Sequence, residues 1–261
     1  MYLEHPQFPL SSKYDPMWVF ENEMGPNALW LTEFVCEGMN LEPGMRVLDM
    51  GCGRAMSSIF LAKEFGVQVV ANDLWIEPSD NWKRIKASGL ENQIIPIKAE
   101  GSELPYAERY FDAAISVDAY QYFGQGREYA AYFSRFVKRG GQIGISHIAL
   151  ARTYTEAKST GIPSYLRKWY TGDVDYEKEP GEVDPDAMVQ TLDEWKARIE
   201  CGNAVDVKTA DMMKNGCLNH VRFLEEHKQA GFTYRGQTEL ADWKEDAGSN
   251  FGFMRIVAEV L

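Results

Sequence analysis

The sequence predicts a doubly wound α/β sheet with right-handed crossovers. Three observations carry this. Between Met45 and about Ala149, short apolar runs alternate with segments of helical spacing. The runs are apolar on both faces, as parallel strands covered by helices on either side must be. The chain is also long enough, at 261 residues with 45% hydrophobic and 25% charged, to bury one full core.

The elements follow in order. Gly25-Pro26 opens a helix carrying Leu29, Leu31, Phe34 and Val35 that ends near Gly38, and Leu41-Glu42-Pro43-Gly44 turns into the first strand. Strands are predicted over residues 46–50, 67–72, 94–98, 113–117 and 142–147. Ile59, Phe60 and 63–65 mark the helix after the first strand; Trp82, Ile85 and Leu90 mark the one after the second. A helix carrying Tyr129, Tyr132, Phe133, Phe136 and Val137 should stop at Gly140-Gly141. Residues 150–203 lose the alternation and read as a cap over the sheet, with a helix over 185–200; long insertions in compact domains are usually functional. The acidic stretch 173–179 reads as a solvated face. Residues 204–210 and 251–260 read as closing strands, with 232–238 competing for the penultimate position. One domain is expected over 1–261: an N-terminal helical lid (1–44), a core (45–149), a cap insertion (150–203) and closing strands with a helix (204–261).

Composition excludes several classes. Lys plus Arg number 27 against 39 Asp plus Glu, a net charge of −12, with a pI near 4.9. Such a chain repels a phosphate backbone, so no nucleic acid is expected. No apolar stretch approaches the roughly 20 residues that cross a bilayer. Glu4 stands where a signal peptide would carry positive charge. Cys36, Cys52, Cys201 and Cys217 form no CxxC pair and read as reduced thiols of a cytoplasmic protein. No metal is expected: Cys217, His220 and His227 share helical spacing but lack a fourth ligand, on a helix that reads as exposed. There is no G-x-S-x-G elbow and no H-E-x-x-H.

The informative run is Val47-Leu48-Asp49-Met50-Gly51-Cys52-Gly53-Arg54-Ala55. A strand ends in an acid and a glycine turn opens a helix, so the backbone can pass under a ligand without a Cβ clash. A nicotinamide dinucleotide fits poorly. Met56 stands where its fingerprint wants the third glycine, and Asp49 would face a diphosphate. Asp49 suits a ligand that presents an ammonium and hydroxyls.

This turn resembles the first motif of class I S-adenosylmethionine-dependent methyltransferases, acid-x-G-x-G-x-G. Asp49, Gly51 and Gly53 match, and Ala55 replaces the third glycine at a small cost in room. The resemblance continues in order. Val69-Val70-Ala71-Asn72-Asp73 ends the second strand in an acid able to accept the ribose hydroxyls, with Leu74 next and Trp75 against the adenine or ribose. Lys98-Ala99-Glu100-Gly101, then Leu104-Pro105-Tyr106, is similar to the stretch that contacts adenine, Glu100 standing where Asp is commoner. It implies a Rossmann-like class I methyltransferase fold: seven strands, the last antiparallel, helices on both faces and an inserted lid.

The resemblance implies S-adenosylmethionine as cofactor and S-adenosylhomocysteine as product. The cofactor site would comprise Asp49, Gly51, Cys52, Gly53, Asp73, Leu74, Trp75, Glu100, Gly101, Val117 and Asp118. In Ser116-Val117-Asp118-Ala119-Tyr120-Gln121-Tyr122, the later residues would border a small-molecule acceptor. Tyr120, Gln121 and His147 are the candidate catalytic groups, although a glutamine cannot act as a base near neutral pH. Tyr14 and Trp18 would lie over the cofactor as a lid. The chain looks most like the group that includes sterol and cyclopropane-type enzymes. A membrane partner is not expected and a homodimer stays open. The alternatives are a non-catalytic S-adenosylmethionine-binding protein and, behind it, an NAD-dependent oxidoreductase.

Overall fold

The computed structural model describes residues 2–153, 156, 157, 159, 189–233 and 240–261. Its helices are α1 (Pro16–Asn22), α2 (Ala28–Cys36), α3 (Met56–Phe65), α4 (Pro78–Ala87), α5 (Tyr120–Phe123), α6 (Tyr129–Ser134), α7 (Leu192–Glu200), α8 (Gly216–Gln229) and α9 (Leu240–Asp246). Its strands are β1 (Arg46–Met50), β2 (Gln68–Asp73), β3 (Ile94–Lys98), β4 (Phe111–Val117), β5 (Val137–Leu150), β6 (Val205–Met212) and β7 (Phe251–Val260). They form one sheet in the order β3-β2-β1-β4-β5-β7-β6. β1 to β5 pair in parallel, and β7 runs antiparallel to both β5 and β6.

Strand parity builds the core. Side chains alternate across a pleated strand, so Val47 joins one apolar cluster while Leu48 and Met50 join the other. In β4, Ala113, Ile115 and Val117 face the first cluster, and Phe111 and Ala114 the second. Residues of α1 to α4 and α8 cover the first face; residues of α5, α6 and α7 cover the second.

Helix starts follow capping chemistry. Asn27 accepts hydrogen bonds from the N–H groups of Leu29 and Trp30, so α2 begins at Ala28 rather than at Gly25-Pro26. Thr191 and Glu194 form a reciprocal capping box that starts α7 at Leu192, later than expected; residues 185–188 lie outside the described residues. The helix expected to run to Gly140-Gly141 ends at Ser134. Val137 already pairs with Phe111, and the glycines sit inside β5 where the register slips, Gly140 at φ +74°. A Cβ on Gly141 would stand 2.4 Å from the Asp112 carbonyl oxygen. The penultimate strand is β6; of its competitor at 232–238, residues 234–238 lie outside the described residues, as do the acidic stretch and most of the expected cap.

Candidate functional site

β1, β2, β3 and β4 all run their carboxyl ends to one edge, with the order reversing between β1 and β4, where open α/β sheets hold ligands. A cavity of about 380 Å³ opens there, within the range of small-molecule sites. Its floor is the glycine turn. The N–H groups of Gly51 and Cys52 both donate to the Asn72 carbonyl, at 2.8 and 3.0 Å, tying the turn to β2. Gly51, Gly53 and Ala55 all have left-handed φ, at +76°, +52° and +61°. At Ala55 the missing glycine therefore costs backbone strain, about 1–2 kcal/mol, rather than room.

The two glycines serve different ends. A Cβ on Gly51 would sit 2.3 Å from Ala119 Cβ, so this glycine makes way for protein, while its backbone still lines the cavity. A Cβ on Gly53 would meet only Met24 Sδ, at 3.0 Å. Gly53 is the position of the turn where a side chain would enter the least occupied space.

Four charged residues line the cavity: Asp73, Glu100, Asp118 and Arg54. Asp73 Oδ2 accepts the Gly53 N–H at 2.8 Å, and Oδ1 accepts the N–H groups of Trp75 and Ile76 at 2.7 and 2.9 Å. Three of about four acceptor positions are occupied by backbone, which leaves about one for a further donor. Asp118 follows β4 at φ +50° and accepts a hydrogen bond from Gln121 Nε2 at 3.2 Å. Burial, partly offset by that hydrogen bond, pushes its carboxyl up to about 7. Leu74, Trp75, Gly101, Cys52 and Val117 also line the cavity, and Trp75 is 65% exposed, its ring inclined 64° to that of Tyr122 with centroids 5.4 Å apart. Burial holds the Cys52 thiol well above its ordinary value, so it stays protonated.

Other expected site residues lie behind the walls. Asp49 is fully buried and does not line the cavity. Its Oδ2 accepts Ser57 Oγ and Ser58 Oγ at 2.6 and 2.5 Å, which turns the carboxyl into the first turn of α3, and burial lifts it to about 6. Tyr120, Gln121 and His147 are likewise buried and outside the lining. His147 Nδ1 lies 2.7 Å from the Ile148 carbonyl oxygen, which makes it the protonated nitrogen and leaves Nε2 a buried lone pair without a partner. Burial drops its pKa to about 4, and the ring packs 4.8 Å from Trp195. Tyr14 and Trp18 stack on each other, and Tyr14 stacks on Phe60 of α3, away from the cavity. The N-terminal wall is Asn22, Met24, Gly25 and Pro26 instead. Sequence reasoning missed these and Arg54; the arginine's place inside the turn was the available signal.

The helix expected to be exposed is buried on the side that carries Cys217, His220 and His227. His220 packs 4.4 Å from Trp243, and burial takes its pKa to about 3. Among the described residues no cluster could hold a metal ion, and no helix is long and apolar enough to cross a membrane.

The glycine turn, the carboxylates at successive strand ends and the sheet order define a class I S-adenosylmethionine-dependent methyltransferase fold. The chain belongs to the family described as mycolic acid cyclopropane synthetase, whose profile matches residues 30–174, over half of it. It is 21% identical to the sterol 24-C-methyltransferase of Yarrowia lipolytica over 81% of this chain and 61% of that one. The phosphoethanolamine N-methyltransferase 2 of Haemonchus contortus superposes with a TM-score of 0.70 at 17% identity, covering 99% of this chain and 59% of that one. The [4+2]-cyclase SpnF superposes at 0.67 and 16% identity, covering 92% and 83%. The chain thus spans about three fifths of the length of the sterol methyltransferase.

Proposed function

We propose that this chain transfers a methyl group from S-adenosylmethionine to a small-molecule acceptor, releasing S-adenosylhomocysteine. The observation that carries the reading is the cavity's donor set. Asp73, Glu100 and Asp118 stand at the ends of three different strands around a turn that is bare at Gly53. That set fits an adenosyl amino acid with cationic groups better than a diphosphate, which the carboxylates of Asp73 and Glu100 would repel. Bound there, S-adenosylmethionine supplies a sulfonium-activated methyl group, so no nucleophilic side chain is required of the protein.

The chain's own work is alignment and exclusion of water, which can supply several kcal/mol of barrier lowering. We assign Asp73 to the ribose hydroxyls, Glu100 and Gly101 to adenine, Trp75 to a ring face, and Val117 with Asp118 to the edge near the acceptor. Tyr120, Gln121 and His147 act as positioning residues: Gln121 orients Asp118 through its amide, and His147 backs the same strand edge. Asp49 supports the turn from behind. Four free cysteines favour a reducing compartment, the cytoplasm.

A second reading, binding without methyl transfer, draws on the absence of a catalytic base among the candidate residues at Gln121. Calorimetry and isotopic transfer separate the two. Asp73→Ala should weaken S-adenosylhomocysteine binding by about 1.5–3 kcal/mol, the scale of hydrogen bonds to a charged group. Unchanged affinity in a folded variant removes Asp73 from the site. Labelled methyl transfer into small molecules of a cell extract supports the first reading, and tight binding with no transfer supports the second.

A further inference from the structure

The loop after β3 forms one wall of the cavity through Ala99, Glu100, Gly101 and Ser102. Among the described residues, the backbone of 99–104 makes one hydrogen bond to itself, from the Glu103 N–H to the Glu100 carbonyl at 3.1 Å. Side chains from other elements hold the rest. Asn72 Nδ2 donates to the Ala99 carbonyl at 3.1 Å, and Tyr106 Oη donates to Asn72 Oδ1 at 2.8 Å, which fixes that amide's orientation. Tyr129 Oη donates to the Gly101 carbonyl, and Tyr132 Oη accepts the Leu104 N–H, both at 2.8 Å. These two tyrosines are three residues apart on α6 and share a face of it.

Gly101 is where this fastening reaches the ligand space. It is buried and lines the cavity, and a Cβ there would stand 2.9 Å from Met50 Cε and 3.1 Å from Phe123 Cγ. Bare backbone therefore fills the gap between those two side chains. The peptide unit before Gly101 is held by the Glu103 N–H, and the unit after it by Tyr129. Among the described residues the Gly101 N–H has no acceptor. Buried backbone donors are seldom left so, and this one borders the cavity. The Tyr129 ring is wedged in turn, with centroids 5.4 Å from Phe123 and 5.7 Å from Tyr120, and it stacks on Phe133 at 6.0 Å. Burial holds its hydroxyl above the ordinary value, so it remains a donor.

We propose that Tyr129 is a positioning residue for purine selection: its hydroxyl fixes the backbone at Gly101 so that this N–H and Glu100 together prefer adenine to a 6-oxopurine. This rests on the S-adenosylmethionine reading above, which assigns Glu100 and Gly101 to adenine. Adenine N1 can accept the N–H while the 6-amino group donates to the carboxylate. Hypoxanthine carries a hydrogen on N1 and an oxygen at position 6, so both contacts turn repulsive. A site built on such a pattern rejects the wrong base only while its groups are held in place. No proton or bond change is assigned to Tyr129.

The test is calorimetry of the wild type, Tyr129→Phe and Tyr132→Phe against S-adenosylhomocysteine and S-inosylhomocysteine, with urea unfolding of each in parallel. Both variants keep their rings and lose one hydrogen bond of 2.8 Å to the same loop, so their stabilities should fall alike. Only Tyr129→Phe should weaken S-adenosylhomocysteine, by about three- to tenfold, the scale of one neutral hydrogen bond. S-inosylhomocysteine should change less than about twofold in that variant, so the preference for adenine narrows by nearly the whole loss. Tyr132→Phe should keep the wild-type preference. Equal losses on both ligands, an unchanged preference in Tyr129→Phe, or the same narrowing in Tyr132→Phe would each reduce Tyr129 to a structural tie and overturn the proposal. A wild type that binds both ligands equally overturns it through the assignment of Glu100 and Gly101. If the wild type binds neither, the cofactor reading itself fails and the proposal falls with it.

Discussion

Gly51→Ala tests why the turn needs its first glycine. The substitution imposes two separate costs. At φ +76° an L side chain is strained, by about 1–2 kcal/mol. The new Cβ would also stand 2.3 Å from Ala119 Cβ, and such overpacking costs about 1–3 kcal/mol. Urea unfolding should therefore show a loss of about 2–5 kcal/mol. Ala119→Gly removes the obstructing methyl. In the double variant the steric share should return, a coupling of about 1–3 kcal/mol, while the strain stays. The new methyl would then occupy protein space, so the double variant should bind S-adenosylhomocysteine within about threefold of wild type. Additive stabilities would refute the packing argument. A well-folded double variant that has lost binding tenfold would show that Gly51 makes room for the ligand after all.

Two further predictions concern the carboxyls. Asp118 holds its proton up to about pH 7, against an ordinary value of 3.8. Between roughly pH 4 and 7 the folded state binds the extra proton, so this group's contribution to stability falls as pH rises through that window. Asp118→Asn should match wild-type stability near pH 4 and exceed it by on the order of 2–4 kcal/mol at pH 8; a pH-independent difference in urea midpoints refutes it. Asp49→Ala leaves the hydroxyls of Ser57 and Ser58 without their acceptor and should cost about 2–4 kcal/mol in the same assay. Affinity for S-adenosylhomocysteine should barely change in the folded protein, and a tenfold loss would bring Asp49 back into the cavity.

Most of the scaffold was legible because its signals are local. Apolar runs marked β1, β3 and β7 to the residue; burial on both faces explains β1 and β7, whereas β3 is an edge strand with Ile95 59% exposed, read from its β-branched composition. Acids at the ends of β1 and β2 were visible by position. Their roles were not equally visible. Asp49 and Asp73 look alike in sequence, but serines at 57 and 58 draw one into α3 while the backbone N–H groups at 53, 75 and 76 hold the other at the cavity. The glycine pair at 140–141 misled because a helix stop and a strand irregularity use the same residue.

The sequence alone determined the layered α/β class and the place of the turn with its flanking acids, because strand burial and turn chemistry are written into neighbouring residues. Tertiary structure alone decided which of those groups reach the cavity. Ala119 against Gly51, Trp195 against His147, and residues 22–26 over the turn are meetings of segments far apart in the chain. Such contacts depend on how whole elements pack, and packing leaves no periodicity in any one segment to be read beforehand.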